Sequence, residues 1–329
     1  MTPPETEQRA PALLGADTWR DLAAYGPYYA ATPPHPPTRS LILAAFLFFL
    51  TLITCLLAGT HFAAAYAHNQ AFSLDAFGQT FTLAYRHPAT LLTGLPFAVT
   101  LLTILLAHEL GHYFACRYHH IRSSYPMFIP APTLIGTFGA FILIRSPIRS
   151  ARALFDVGAS GPIVGFLLAI PAMAYGVLHA KVVPALSYGG NADLVFGVPV
   201  VMRLISAVIL PNAHAADLLL HPVGRAAWVG LFATALNLLP VGQLDGGHIL
   251  RSVSPRLHRV VSLILPLVLV PMGFFLWRGW LIWAALLFGV RYFRAAPIYD
   301  PTPLDPNRRF GALLALLVFL LCFMANPLR

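Results

Sequence analysis

The sequence predicts a polytopic α-helical membrane protein. Hydrophobic residues make up 58% of the 329-residue chain and charged residues only 10%, whereas soluble domains run nearer 25% charged. The mean hydropathy is +0.71. The apolar residues also gather into about seven runs, most near the roughly 17–25 residues needed to cross about 30 Å of hydrocarbon.

The elements follow in order. Residues 1–39 hold "TPPETEQRAPALLGADTWR" and a proline run at 33–37, which reads as an extended, stiff cytoplasmic lead-in. It lacks the short basic start, apolar core and cleavage site of a signal peptide. Residues 40–329 form the transmembrane domain, with spans expected near 40–64, 89–115, 157–179, 223–241, 259–276, 279–293 and 310–325. The fifth and sixth are short and share a tight turn at Trp277-Arg278-Gly279. Arg203 interrupts 194–210, which reads as an interfacial or loop piece.

The net charge of +9 does not point to nucleic acid, because no basic patch interleaved with aromatics is present. Placing the N-terminus in the cytoplasm puts fifteen basic residues inside and five outside, with Arg225 inside a span. That asymmetry is the positive-inside pattern. Cys55, Cys116 and Cys322 form no CxxC pair, so neither a disulfide framework nor a thiolate metal site is expected.

The orientation has a chemical consequence. The second and fourth spans both run inward. The second ends in "LTILLAHELGHYFACRYHH", residues 102–120, and the fourth in "ALNLLPVGQLDGGHILR", residues 235–251. Two polar clusters therefore reach the same side of the membrane at about the same depth.

His108 and His112 are four residues apart, so on a helix they share a face, with Cβ atoms about 5–6 Å apart. Both imidazoles can then reach one ion with Zn–N bonds of about 2.0–2.1 Å. Glu109 stands beside the first of them as a base for a metal-bound water, the HExxH arrangement. The chain has only three Glu, at 5, 7 and 109, and a chance match from this composition is expected about 0.005 times. An ionisable group at this depth costs about 2.5–3.5 kcal/mol on insertion scales and marks function. A catalytic zinc wants a third protein ligand. Glu5 and Glu7 lie in the lead-in, which leaves His119, His120, His248 and Asp245. Asp245 is the choice, because it sits at a span end of matching orientation beside Gly246 and Gly247, which let backbone approach closely. His119 and His120, with Arg-rich flanks, read as solvated residues of the headgroup region.

HELGH at 108–112, with Asn237-Leu-Leu-Pro240 and Leu244-Asp245-Gly246, resembles the site-2 protease family of intramembrane zinc metalloproteases over about residues 90–260. The resemblance implies one zinc per chain on His108, His112 and Asp245, with Glu109 activating water. Asn237 would hold the substrate or the oxyanion. It also implies membrane-protein substrates, cut in or near their transmembrane segments. "GTFGAFILIRSP", residues 136–147, is too short for a span and rich enough in β-branched and aromatic residues for a strand. It resembles the family's membrane-embedded β segment beside the active site. Gly136, Phe138 and Gly139 would bind an unwound substrate there by strand addition. "FDVGASGPIVGF", residues 155–166, resembles the family's Gly-Pro segment, but Gly165 stands where an Asn often follows. That departure leaves the segment without a polar role. The outer loop 180–222 is too short for a PDZ fold, so a compact member without PDZ or CBS domains is expected.

Two other functions are weighed on the residues. A membrane di-iron oxygenase or desaturase needs about eight His in several boxes. A metal transporter needs polar residues along a path, whereas here the acids converge at one depth. The expected setting is a bacterial plasma membrane, with the N-terminus and the active site towards the cytoplasm. The sequence assigns no oligomeric state.

Overall fold

The computed structural model describes residues 36, 38–70, 72–148, 150–183, 194–290 and 302–328; the expected lead-in lies almost wholly outside them. Ten α-helices are described: α1 (Thr38–Ala67), α2 (Leu74–Arg86), α3 (Leu95–Tyr118), α4 (Ala151–Leu178), α5 (Val200–Ile209), α6 (Pro222–Asn237), α7 (Asp245–Val253), α8 (Pro255–Phe275), α9 (Gly279–Val290) and α10 (Pro306–Cys322).

Their starts are written in the sequence. Ser73, Ser150, Ser254 and Asp305 each accept a backbone N–H of the following turn, the usual side-chain cap. Proline begins α6, α8 and α10, where its missing N–H costs nothing.

Four helical stretches are long and apolar enough to cross a membrane: Thr38–Ala67, Pro88–Tyr118, Ala151–Leu178 and Pro255–Phe275. Helices also stand at the other three expected spans, but α6 has 16 residues, α9 has 12 and α10 has 17. At 1.5 Å per residue these fall short of about 30 Å, so four spans rather than seven meet the requirement. The reason is clearest in α6. Ala226, Ala227, Trp228 and Leu231 are at most 2% exposed, so its apolar surface faces protein rather than lipid. By contrast, α1 and α8 expose Ile42, Phe46, Phe49, Phe274 and Phe275, the surface that lipid covers. The ambiguous segment 194–210 is helical over residues 200–209 and too short to cross. The amphipathic α2 was not anticipated from the sequence.

The expected β segment is the second strand of a hairpin. β1 (Met127–Pro130) pairs antiparallel with β2 (Thr137–Phe141), Met127 opposite Phe141 and Pro130 opposite Thr137. Beyond the strands, Ser124 N–H donates to Leu143 O at 2.9 Å. The hairpin turn rests on α1: the Thr54 hydroxyl donates to Gly136 O at 2.6 Å. Gly136 takes φ +81°, and a Cβ there would strike the Cys55 backbone, so only glycine fits. A second small sheet joins β3 (Lys181–Val182) to β4 (Leu218–Leu219).

At the centre α3, α4 and α6 pack on one another, and α7 lies against α4. This arrangement positions the site.

Candidate metal centre

His108 and His112 lie on the inner face of α3, 4% and 6% exposed. The chain leaves α6 at Asn237, turns through residues 238–244 and starts α7 at Asp245. That turn is tight: a Cβ on Gly246 would overlap the Leu238 carbonyl. The return brings the Asp245 carboxylate onto the two imidazoles.

The three ligand atoms form a nearly equilateral triangle. His108 Nε2 and His112 Nε2 are 3.1 Å apart, and each is 3.3 Å from Asp245 Oδ2. A tetrahedral ion with bonds of about 2.0–2.1 Å spaces its ligands about 3.3 Å apart. The donor set, two imidazoles and a carboxylate, is also one that zinc takes in catalytic sites. Residues and geometry therefore fit zinc. This is the only group of three or more metal-binding side chains among the described residues.

Helix α4 orients the second imidazole. His112 Nδ1–H donates to Val157 O at 2.6 Å, which fixes the tautomer and leaves the Nε2 lone pair free for an ion within the triangle.

A cavity of about 210 Å³ opens on the triangle. Its wall includes Glu109, Asn237, Gln243 and His248, together with Ala140, Phe141, Ile142 and Ile144 from the hairpin arm. Glu109 is 5% exposed and lines the cavity together with Ile142. The Asn237 amide nitrogen stands 3.2 Å from His108 Nε2.

His108, Glu109, His112, Asn237 and Asp245 thus meet in one cavity. Gly136, Phe138 and Gly139 do not line it: Gly136 packs on α1, and Phe138 points outward, 72% exposed. The strand instead presents the next residues, Ala140 to Ile142. His119 and His120 are not ligands. His120 is exposed, and His119 pairs with Asp156 at 2.7 Å rather than standing solvated.

Sequence reasoning missed the role of the α4 glycines. A Cβ on Gly161 would overlap the His112 ring, and one on Gly165 would come within 3.2 Å of His108 Nδ1. The two glycines are four apart, as are the two histidines they face, and that matched spacing was the available signal. Gly165, which looked like the loss of a polar residue, is a space-making position.

The sequence profile of peptidase family M50 matches residues 96–277, more than half of the chain. The chain belongs to peptidase family M50. Among M50-type relatives, the rice (Oryza sativa subsp. japonica) "Probable zinc metalloprotease EGY1, chloroplastic" is 36% identical over 167 residues, 48% of this chain and 28% of its own length. The Arabidopsis thaliana protein of that name is 38% identical over 158 residues, 47% of this chain and 29% of its own. The Arabidopsis "Probable zinc metalloprotease EGY2, chloroplastic" is 29% identical over 234 residues, 70% of this chain and 41% of its own. The chain therefore spans less than half the length of each. No solved structure matches. These names are chloroplastic and give no support to a bacterial plasma membrane; the coarser statement, a membrane protein, stands.

Proposed function

We propose that this M50 member is an intramembrane zinc metalloprotease that hydrolyses peptide bonds in or near the transmembrane segments of membrane-protein substrates. The observation that carries the reading is the Asp245–His108–His112 triangle with Glu109 in the same buried cavity.

His108, His112 and Asp245 would hold the ion. Bound there, zinc supplies Lewis-acid polarisation of a carbonyl and a water whose pKa is lowered to about 7. Glu109 takes the proton from the attacking water and passes it to the leaving amine. Asn237 offers its amide N–H groups to the carbonyl oxygen as charge develops there. A helical substrate hides its carbonyls in its own hydrogen bonds, so it must unwind before attack. The hairpin arm supports capture of the unwound backbone, with Ala140 to Ile142 at the cavity wall and Phe138 exposed beside it. Non-helical backbone at this depth is tolerable where it is buried in protein or lines a wet cavity. The basic-residue asymmetry of the sequence supports a cavity towards the cytoplasmic or equivalent face.

Neither alternative gathers support. A di-iron enzyme needs a second cluster, and the described residues hold one three-residue group. A transporter needs a polar path, whereas these polar groups meet in one cavity.

The test is the Glu109→Gln variant with a single-span membrane substrate. Cleavage should vanish while zinc remains bound. Persistent cleavage would remove Glu109 from the mechanism.

A further inference from the structure

We propose that Arg308 is a positioning residue for the metal centre, acting through Asp156 on the turn of α4 that holds His112. The inference rests on the peptidase reading for what the centre does, but not for how it is held.

Three elements converge on residues 155–157 of α4. From α10, Arg308 Nε donates to Asp156 Oδ1 at 2.8 Å and Arg308 Nη2 to Asp156 Oδ2 at 2.6 Å. This is the two-pronged fork that fixes geometry as well as charge. From the end of α3, His119 Nε2 bonds Asp156 Oδ2 at 2.7 Å. Asp305, the cap of α10, pairs with Arg308 from behind. Next to this clamp, Gly311 of α10 sits where a Cβ would press on the ring of Phe155, itself 5% exposed.

The residue after Asp156 is Val157, whose carbonyl takes the His112 Nδ1–H; the Ser160 hydroxyl also donates to it, at 3.2 Å. A carboxylate anchored at three nitrogens therefore adjoins the carbonyl that orients a metal ligand. Releasing Arg308 frees α4 to rotate or slide at this turn, and the imidazole loses its fixed direction. Arg308 lies outside the 96–277 match. The inference thus assigns part of the site's construction to a helix that the family profile does not cover.

The test uses the full chain in detergent with Co²⁺ in place of zinc, because the visible Co²⁺ band reports ligand geometry independently of turnover. Arg308→Ala and Asp156→Asn should each weaken Co²⁺ binding about 10-fold or more, the usual scale for outer-shell partners, and should shift the band. The double variant should add little, since both changes break one linkage. Arg308→Lys, with one prong instead of two, should fall between. Arg309→Ala, an exposed neighbour, should match the wild type. If Arg308→Ala fails to fold, Arg308→Lys and His119→Gln carry the same comparison. Unchanged Co²⁺ affinity and band in the folded variants, with only a lowered melting temperature, would overturn the inference. So would failure of the wild type to bind Co²⁺. Wild-type protein that binds Co²⁺, responds to these variants, yet in its zinc form cleaves no single-span substrate would keep the clamp and refute the protease.

Discussion

Asn237 and His108 lie 129 residues apart in the chain, yet the Asn237 amide nitrogen is 3.2 Å from His108 Nε2. Asn237 is the last residue of α6, and its side chain extends the helix into the cavity that Glu109 also lines. A helix-joining amide would need no place at a metal ligand.

Asn237→Ala should therefore lower kcat by about 10²–10³, the range for losing one oxyanion donor, with zinc content unchanged. Steady-state cleavage and metal analysis of the same preparation check this. A fall in melting temperature with kcat intact would instead mark Asn237 as interhelical glue.

Gly161→Ala tests the close packing of α4 on α3. In an ordinary helix interior this change stabilises by about 0.5–1 kcal/mol. Here the methyl would meet the His112 ring, so zinc affinity should drop about 10-fold or more. Gly165→Ala, with its nearest contact at 3.2 Å, should do less. Competition titration with a chelator orders the variants, and equal affinities would remove the packing argument.

Metal removal should lower thermal stability. A ligand present at 1,000 times its Kd stabilises by about 4.1 kcal/mol, so a chelated sample should melt well below the zinc-loaded one. His112→Ala should melt at one temperature with or without chelator.

The pH dependence of zinc binding has a defined sign. Imidazoles ligate only when neutral, so zinc binding competes with protons and affinity should fall as the pH is lowered. A metal titration at several pH values checks it; flat affinity down to pH 5 would exclude imidazole ligands.

Much of the site was legible because its signals are local or set by helix period. The His108–His112 spacing fixes a shared face, and Asp245 beside Gly246 and Gly247 stands out as an acid at the end of an apolar run. The strand at 137–141 was legible from composition. The span count was not, because hydropathy cannot tell lipid from protein around an apolar helix, and α6 is enclosed by protein. Helix α2 escaped notice because it mixes Asp75, Gln79 and Arg86 with a narrow buried face of Phe77, Thr80 and Ala84. Which hairpin residues line the cavity was not legible. Alternation does not say which part of a strand reaches a cavity, and here Ala140 to Ile142 do. The Asp156–Arg308 fork joins residues 152 apart, and nothing local in either segment announces it.

The most direct measurement is zinc content together with the zinc X-ray absorption edge of the purified chain, beside Asp245→Ala. One zinc per chain is expected, with two imidazole nitrogens and oxygen ligands near 2.0–2.2 Å, and Asp245→Ala should lose most of it. Sulfur in the coordination shell, or full zinc with an unchanged edge in Asp245→Ala, would contradict the assignment of His108, His112 and Asp245 as the metal-binding set.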